Sequence, residues 1–222
     1  MIDVINTPGG MDQLKMLGVR NVPVVAVGDR YTFAQNLKDV AKFLGVTMNR
    51  QQLAPGVLVE RYLSILSTAQ RLVRQIPDDR MDERVIPNRP RVLWPFAYHM
   101  FRICDAFLQV YDEKALYTPT IANIDPPEHL KTGRQIADEY GTEIRQRLTV
   151  WWAATPDKAM EKKLNTFYGM QAAHDVFERS VWHSAQHCRQ LAVVLDRWGI
   201  KADGPLTPEQ VQGLPMPDGL WE

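Results

Sequence analysis

Apolar residues in the second part of this chain recur with helical period. Between residues 57 and 76 they fall at 58, 62, 65, 66, 69, 72, 73 and 76, and Pro77-Asp78-Asp79 closes the stripe. The next run opens at Trp94-Pro95, proline being tolerated in a first helical turn, and aligns Phe96, His99, Ile103, Phe107 and Val110. A third helix is predicted over about residues 132–154, with Ile136, Tyr140, Ile144, Leu148 and Trp151 or Trp152 at helical spacing. The fourth is predicted over about residues 170–198, burying Phe177, Val181, Ala185, Cys188, Ala192 and Leu195 before Gly199 ends it. Pro87-Asn-Arg-Pro-Arg91 and the stretch around Phe167-Tyr-Gly169 read as connectors. Residues 112–131 hold Pro119, Pro126, Pro127 and His129 with no period, and read as a long surface loop.

The first fifty residues follow a different pattern. Residues 11–17 make a short helix ended by Gly18, and Val24-Val-Ala-Val27, β-branched and too short for a helix, reads as a buried strand. Gly28-Asp29 turns the chain, residues 31–33 form a second strand, and residues 37–44 form a helix closed by Gly45. Residues 49–56 are a polar linker, with the break near Pro55. The predicted fold is therefore mainly α: a four-helix bundle over residues 55–200, a small α/β appendage over 1–48, and a Pro- and Gly-rich tail over 201–222. That tail lays Leu214, Met216, Leu220 and Trp221 on the bundle surface. A two-stranded ribbon is marginal alone, so the appendage must pack on the rest of the chain or on a second copy of it, a homodimer.

Composition narrows the partners. Lys plus Arg total 26 and Asp plus Glu total 26, so no net field recommends nucleic acid or an anionic membrane. The first residues carry no basic or apolar leader pattern and no run of 18 apolar residues occurs, which together predict a cytoplasmic protein. Cys104 and Cys188 are too few for a disulfide scaffold and form no CxxC pair, so both read as buried small hydrophobes.

The chemistry concentrates in Trp182-His183-Ser-Ala-Gln-His187-Cys-Arg-Gln190-Leu191. Residues four apart share a helix face with Cβ atoms ~5–6 Å apart, so His183 and His187 can grip one cation. Two imidazoles alone are a weak signal, and a third ligand is needed. His99 points toward the core of another helix, where an imidazole must find a partner or cost stability. His174 is half a turn away from His183 and cannot join the same site. Arg102, Arg179, Gln186 and Gln190 stand near enough along their helices to support ligands or anchor a substrate.

Two resemblances follow from these residues. Trp94-Pro-Phe-Ala-Tyr-His99-Met-Phe-Arg-Ile and the His183/His187 stretch are similar to the second- and fourth-helix motifs of the DinB-like, thiol-transferase-like four-helix bundles, over about residues 55–200. The resemblance implies a divalent metal held by His99, His183 and His187, and transfer or isomerisation of small-thiol adducts. Gly18-Val-Arg-Asn-Val22-Pro23-Val-Val-Ala-Val-Gly-Asp29, with the strand and helix after it, resembles the C-terminal half of a glutaredoxin or thioredoxin fold, whose Val-Pro peptide is cis. It implies that Val22 and Pro23 keep a thiol-binding edge, as for glutathione. The first strand and CxxC helix of that fold are missing, so no dithiol chemistry carries over, and Phe33-Ala-Gln-Asn36 lacks the family's Gly-rich glutathione contact.

Three neutral imidazoles leave at least one metal position for water or substrate, as in catalytic zinc sites; nickel, iron and copper also suit such ligands. The expected function is a metal-dependent S-transferase, isomerase or hydrolase acting on a glutathione-like thiol adduct. The alternative is a non-catalytic metal-binding or stress-response protein. The root of the 112–131 loop lies about 20 Å from His99 along a straight helix. The loop is therefore expected to fold back and touch substrate, so that deleting residues 115–128 changes substrate affinity and leaves metal content intact.

Overall fold

The computed structural model describes residues 2, 4, 7–84 and 91–221. The connector predicted around residues 87–90 lies outside the described residues. The chain divides into two compact units, Met1–Arg50 and Gln51–Glu222.

In the first unit, helix α1 (Gly10–Met16) is followed by strands β1 (Val24–Val27) and β2 (Arg30–Phe33) and helix α2 (Leu37–Leu44). The strands pair antiparallel from Val24↔Phe33 to Val27↔Arg30 around a two-residue turn in which Gly28 has φ 64°. Asn36 caps α2 by accepting from the Lys38 amide at 2.9 Å, and α2 packs on β2. The Val22-Pro23 peptide is cis. The expectation of a buried β1 is overturned. Val24 and Val25 are half-buried, Ala26 and Val27 are exposed, because a two-stranded ribbon with a helix on one strand cannot cover both faces of a β-branched run.

The second unit is mainly helical. Its long elements are α3 (Pro55–Arg74), α4 (Leu93–Glu113), α7 (Thr142–Ala154) and α8 (Ala173–Arg197), with short α5 (Pro119–Ala122) and α6 (Gly133–Gln135) before α7 and α9 (Pro208–Val211) after α8. Helices α3 and α4 each pack on α7 and α8, around one core that includes Tyr62, Leu66, Phe96, Phe101, Phe107 and Phe177. Pro55 sits at the start of α3, where its missing N–H costs nothing. Helix α4 is buried over nearly its whole circumference, from Phe96 to Leu108, and so lies at the centre rather than presenting one stripe. Among the described residues no helix is long and apolar enough to cross a membrane.

Helix α7 is reached through a π-helical turn at Ile136–Gly141 that the apolar period does not disclose. Gln70 on α3 holds this wide turn: its Nε2 donates to Ala137 O at 2.8 Å and to Thr142 Oγ1 at 2.9 Å. Gly141 lies against Phe101, and a Cβ there would come within 2.9 Å of the Phe101 ring. Thr132 and Gln135 form the capping box that starts the segment, a T-x-x-Q signature readable in the sequence.

Two other expectations are corrected. The 163–172 region is a hairpin, β3 (Lys163–Thr166) with β4 (Gly169–Ala172), so α8 begins at Ala173 and not near Met170. Alternate burial of Leu164 and Thr166 marks the strand, and Gly169, at φ 108°, supplies a backbone conformation that other residues rarely adopt. The 112–131 stretch is not a plain surface loop. Tyr117, Ala122 and Leu130 are buried, α5 is capped by Thr118, and Tyr117 joins the hairpin through Tyr117 N–Asn165 O (2.8 Å) and Phe167 N–Tyr117 O (3.0 Å). Prolines and lack of period hide a segment whose backbone is satisfied by neighbouring elements.

Candidate metal centre

Helix α4 carries His99 in its second turn, and α8 carries His183 and His187 one turn apart. The packing of α4 on α8 brings the three rings together. Their centroids are 5.4 Å (His99–His183), 5.2 Å (His99–His187) and 4.7 Å (His183–His187) apart. One nitrogen from each lies within 4.8 Å of the others. Three nitrogens around a tetrahedral zinc stand ~3.4 Å apart, so small ring rotations close the set on one ion. This three-histidine group could hold a metal ion.

Each buried ring is oriented by a protein acceptor. His99 Nδ1 donates to Ala122 O at 2.7 Å, because a carbonyl can only accept; this leaves its Nε2 as the bare lone pair. His187 Nδ1 is 2.7 Å from Gln190 Oε1, and the edge of Phe96 packs on its ring. His187 Nε2 and His183 Nδ1 are buried and, among the described residues, have no hydrogen-bond partner. A buried nitrogen without a partner costs stability, and a cation supplies that partner. His183 is only partly buried, so the group opens on its side, beside Trp182 and Arg179, whose guanidinium lies 5.9 Å from the Trp182 ring centroid.

The electrostatics favour neutral rings. Burial, then the charges of His187 and Arg91, hold His99 well below its ordinary value. Burial, then His187 and Arg179, do the same to His183. Burial lowers His187 to about 4, with the Gln190 bond acting in the opposite sense. Neutral imidazole is the form that ligates a cation. It also makes metal-free stability depend on pH. Folded-state values below the ordinary ~6.5 mean that the unfolded chain binds more protons, so stability is full above that value and falls as pH drops toward about 4. Thermal melting of metal-free protein should fall more steeply across this window than in a His187→Gln variant. Parallel curves would show that the triad does not set the acid limit.

The other predicted residues separate. Gln190 touches His187. Gln186 donates to Gly219 O and Leu220 O at 2.9 and 2.7 Å. Arg102 does not reach the rings but donates to Ile121 O at 2.9 Å, and so holds the segment whose next carbonyl orients His99. His174 Nε2 is bonded to Leu53 O at 2.8 Å, away from the triad. Cys104 and Cys188 are buried and free, and burial pushes both thiols far up. Val22 and Pro23, both exposed, belong to the first unit, where the Val22 carbonyl accepts from Gln35 Nε2 at 3.3 Å. The role of Ala122 was missed. Its carbonyl has no sequence signature, although Thr118-Pro119, a cap followed by proline, announces the short helix that delivers it. Because this carbonyl orients His99, removal of the segment is expected to weaken metal binding rather than leave it intact.

Compared with models of protein families and with curated proteins, the chain matches none. Fold and site together define a mainly helical protein with a three-histidine group able to hold a metal ion.

Proposed function

We propose that the second unit is a DinB-like four-helix bundle, and that the protein is a metal-dependent enzyme acting on a small, glutathione-like thiol adduct. The observation that carries this reading is the convergence of three neutral imidazoles, two of whose buried nitrogens have no hydrogen-bond partner among the described residues. His99, His183 and His187 hold the ion, while Ala122 O and Gln190 orient two of the rings. A divalent metal there supplies Lewis acidity that favours the thiolate form of a thiol at neutral pH. Three protein ligands leave a coordination position open, which suits a catalytic role better than a structural one.

The charge around the site supports an anionic substrate. Arg91 and Arg179 both oppose protonation of the triad, so their positive fields reach it, and such a field attracts the carboxylates of a glutathione-like molecule. Phe96 screens His187 from water, and the partly buried His183 marks the approach. The exposed Val22–Pro23 edge of the other unit is a separate candidate contact for the same kind of thiol.

The test is cobalt substitution followed by titration with glutathione. A thiol-dependent ligand-to-metal charge-transfer band is expected, and it should weaken when Arg179 is replaced by alanine. Cobalt uptake with no spectral response to any thiol would assign the alternative, a non-catalytic metal-binding protein.

A further inference from the structure

We infer that the segment around Leu220 locks the tautomer of His187 through Gln190, making Gln190 a positioning residue by which the C-terminal segment sets the metal affinity of the triad. The inference rests on reading the triad as a metal site and deepens it.

Leu220 O is a carbonyl and can only accept, and it lies 2.8 Å from Gln190 Nε2. The nitrogen end of the amide must therefore face the segment, which turns its oxygen toward His187 Nδ1 at 2.7 Å. An amide oxygen also only accepts, so His187 carries its proton on Nδ1. In a neutral ring the lone pair is then on Nε2, the buried nitrogen that has no partner among the described residues. Reversing the amide would set oxygen against oxygen at Leu220 and turn its NH2 toward His187 Nδ1, which only the other tautomer can accept. Burial of Gln190, 5% exposed, leaves no water to compensate.

The segment that dictates this choice is itself anchored to the same helix. Gln186, 3% exposed, donates from Nε2 to Gly219 O and to Leu220 O, so Leu220 O accepts from two glutamines. Arg189 Nη1 donates to Pro217 O and to Gln186 Oε1, each at 2.9 Å. Gln186, Arg189 and Gln190, all within three residues of His183 or His187 on α8, thus fasten three carbonyls of residues 217–220. Loosening this strap frees the Gln190 amide to turn, and His187 can then take the tautomer whose Nε2–H points at the metal position and cannot ligate there.

Removing a partner that orients a ligating histidine typically costs 10–100-fold in metal affinity. Gln190→Leu is expected to lower zinc affinity by that factor, measured by competition with a chromophoric chelator. Gln190→Glu keeps an acceptor for Nδ1–H and should recover most of the loss. A chain truncated after Met216 should show the Gln190→Leu defect although every histidine and Gln190 remain, and it serves if the leucine variant does not fold. The second readout is two-bond 1H–15N NMR of the imidazoles in metal-free protein. His187 should be protonated on Nδ1 in the parent and mixed in both Gln190→Leu and the truncated chain. Folded variants with parental zinc affinity and a parental His187 tautomer overturn the lock. A parent that takes up no zinc overturns the metal reading instead, and the tautomer, read without metal, tells the two failures apart.

Discussion

Replacement of His183 with alanine is expected to yield a folded protein without bound metal, while the parent carries about one divalent ion per chain, as three converging imidazoles imply. His183 is the least buried member of the triad, so its truncation removes little core packing. It leaves His99 and His187, two ligands on different helices, with no third donor within reach among the described residues. Elemental analysis after removal of loosely bound ions gives the result directly. Thermal shift gives it independently. An ion at 100 times its dissociation constant stabilises a folded protein by ~2.7 kcal/mol, so added zinc should raise the melting temperature of the parent and not of the variant. Equal metal content in the two proteins would exclude this triad as the site.

The second large effect concerns Asp105, six residues after His99 on α4. Its carboxylate accepts from Tyr140 OH at 2.8 Å, from Arg102 and from Arg147. Burial, then the Asp105 charge, push the Tyr140 phenol far up, so it stays a donor. Arg102 and Asp105 are both nearly inaccessible, and Arg102 also donates to Gln109 Oε1 at 2.7 Å and to Ile121 O. Asp105→Ala leaves a buried guanidinium uncompensated, at a cost of about 3–5 kcal/mol. That corresponds to a fall in melting temperature of order 10 °C for a protein of this size. The loss should extend to the site, because Arg102 fixes Ile121 and the next carbonyl orients His99. Weaker zinc binding is therefore expected alongside the lower melting point. For contrast, Arg74 and Asp138 pair on a half-exposed surface, and Arg74→Ala should cost no more than about 1 kcal/mol. Equal, small losses in the two variants would show that the Asp105 cluster is not a structural centre.

The elements best anticipated are those with strong local signals. The helix over residues 37–44 was legible from its closing Gly45, a residue at home at positive φ, and the structure adds the Asn36 cap before it. The stripes of α3 and α8 follow from burial of one face of a helix, and the placement of His99, His183 and His187 on buried faces follows from the same period. The hairpin at residues 163–172 was missed because four-residue strands carry too short an alternation to compete with the helical run after them. The π-helical turn was missed because its cause, Gln70, lies 66 residues before its first residue, Ile136, on another helix.

By itself the sequence determined a mainly helical chain, a distinct first unit with the Val22-Pro23 turn, and three histidines on inward faces, since helical period and capping are local properties of neighbouring residues. Tertiary structure alone decided that the three rings meet, because only the packing of α4 on α8 sets the 5.2 Å and 5.4 Å separations of His99 from its partners. It alone decided which nitrogen of each oriented ring is bare. Those tautomers depend on Ala122 O and on a Leu220–Gln190 relay, backbone acceptors delivered from segments 23 residues after His99 and 30 residues after Gln190. A carbonyl carries no mark of its own in a sequence; every residue has one, and only the fold says which of them reaches an imidazole.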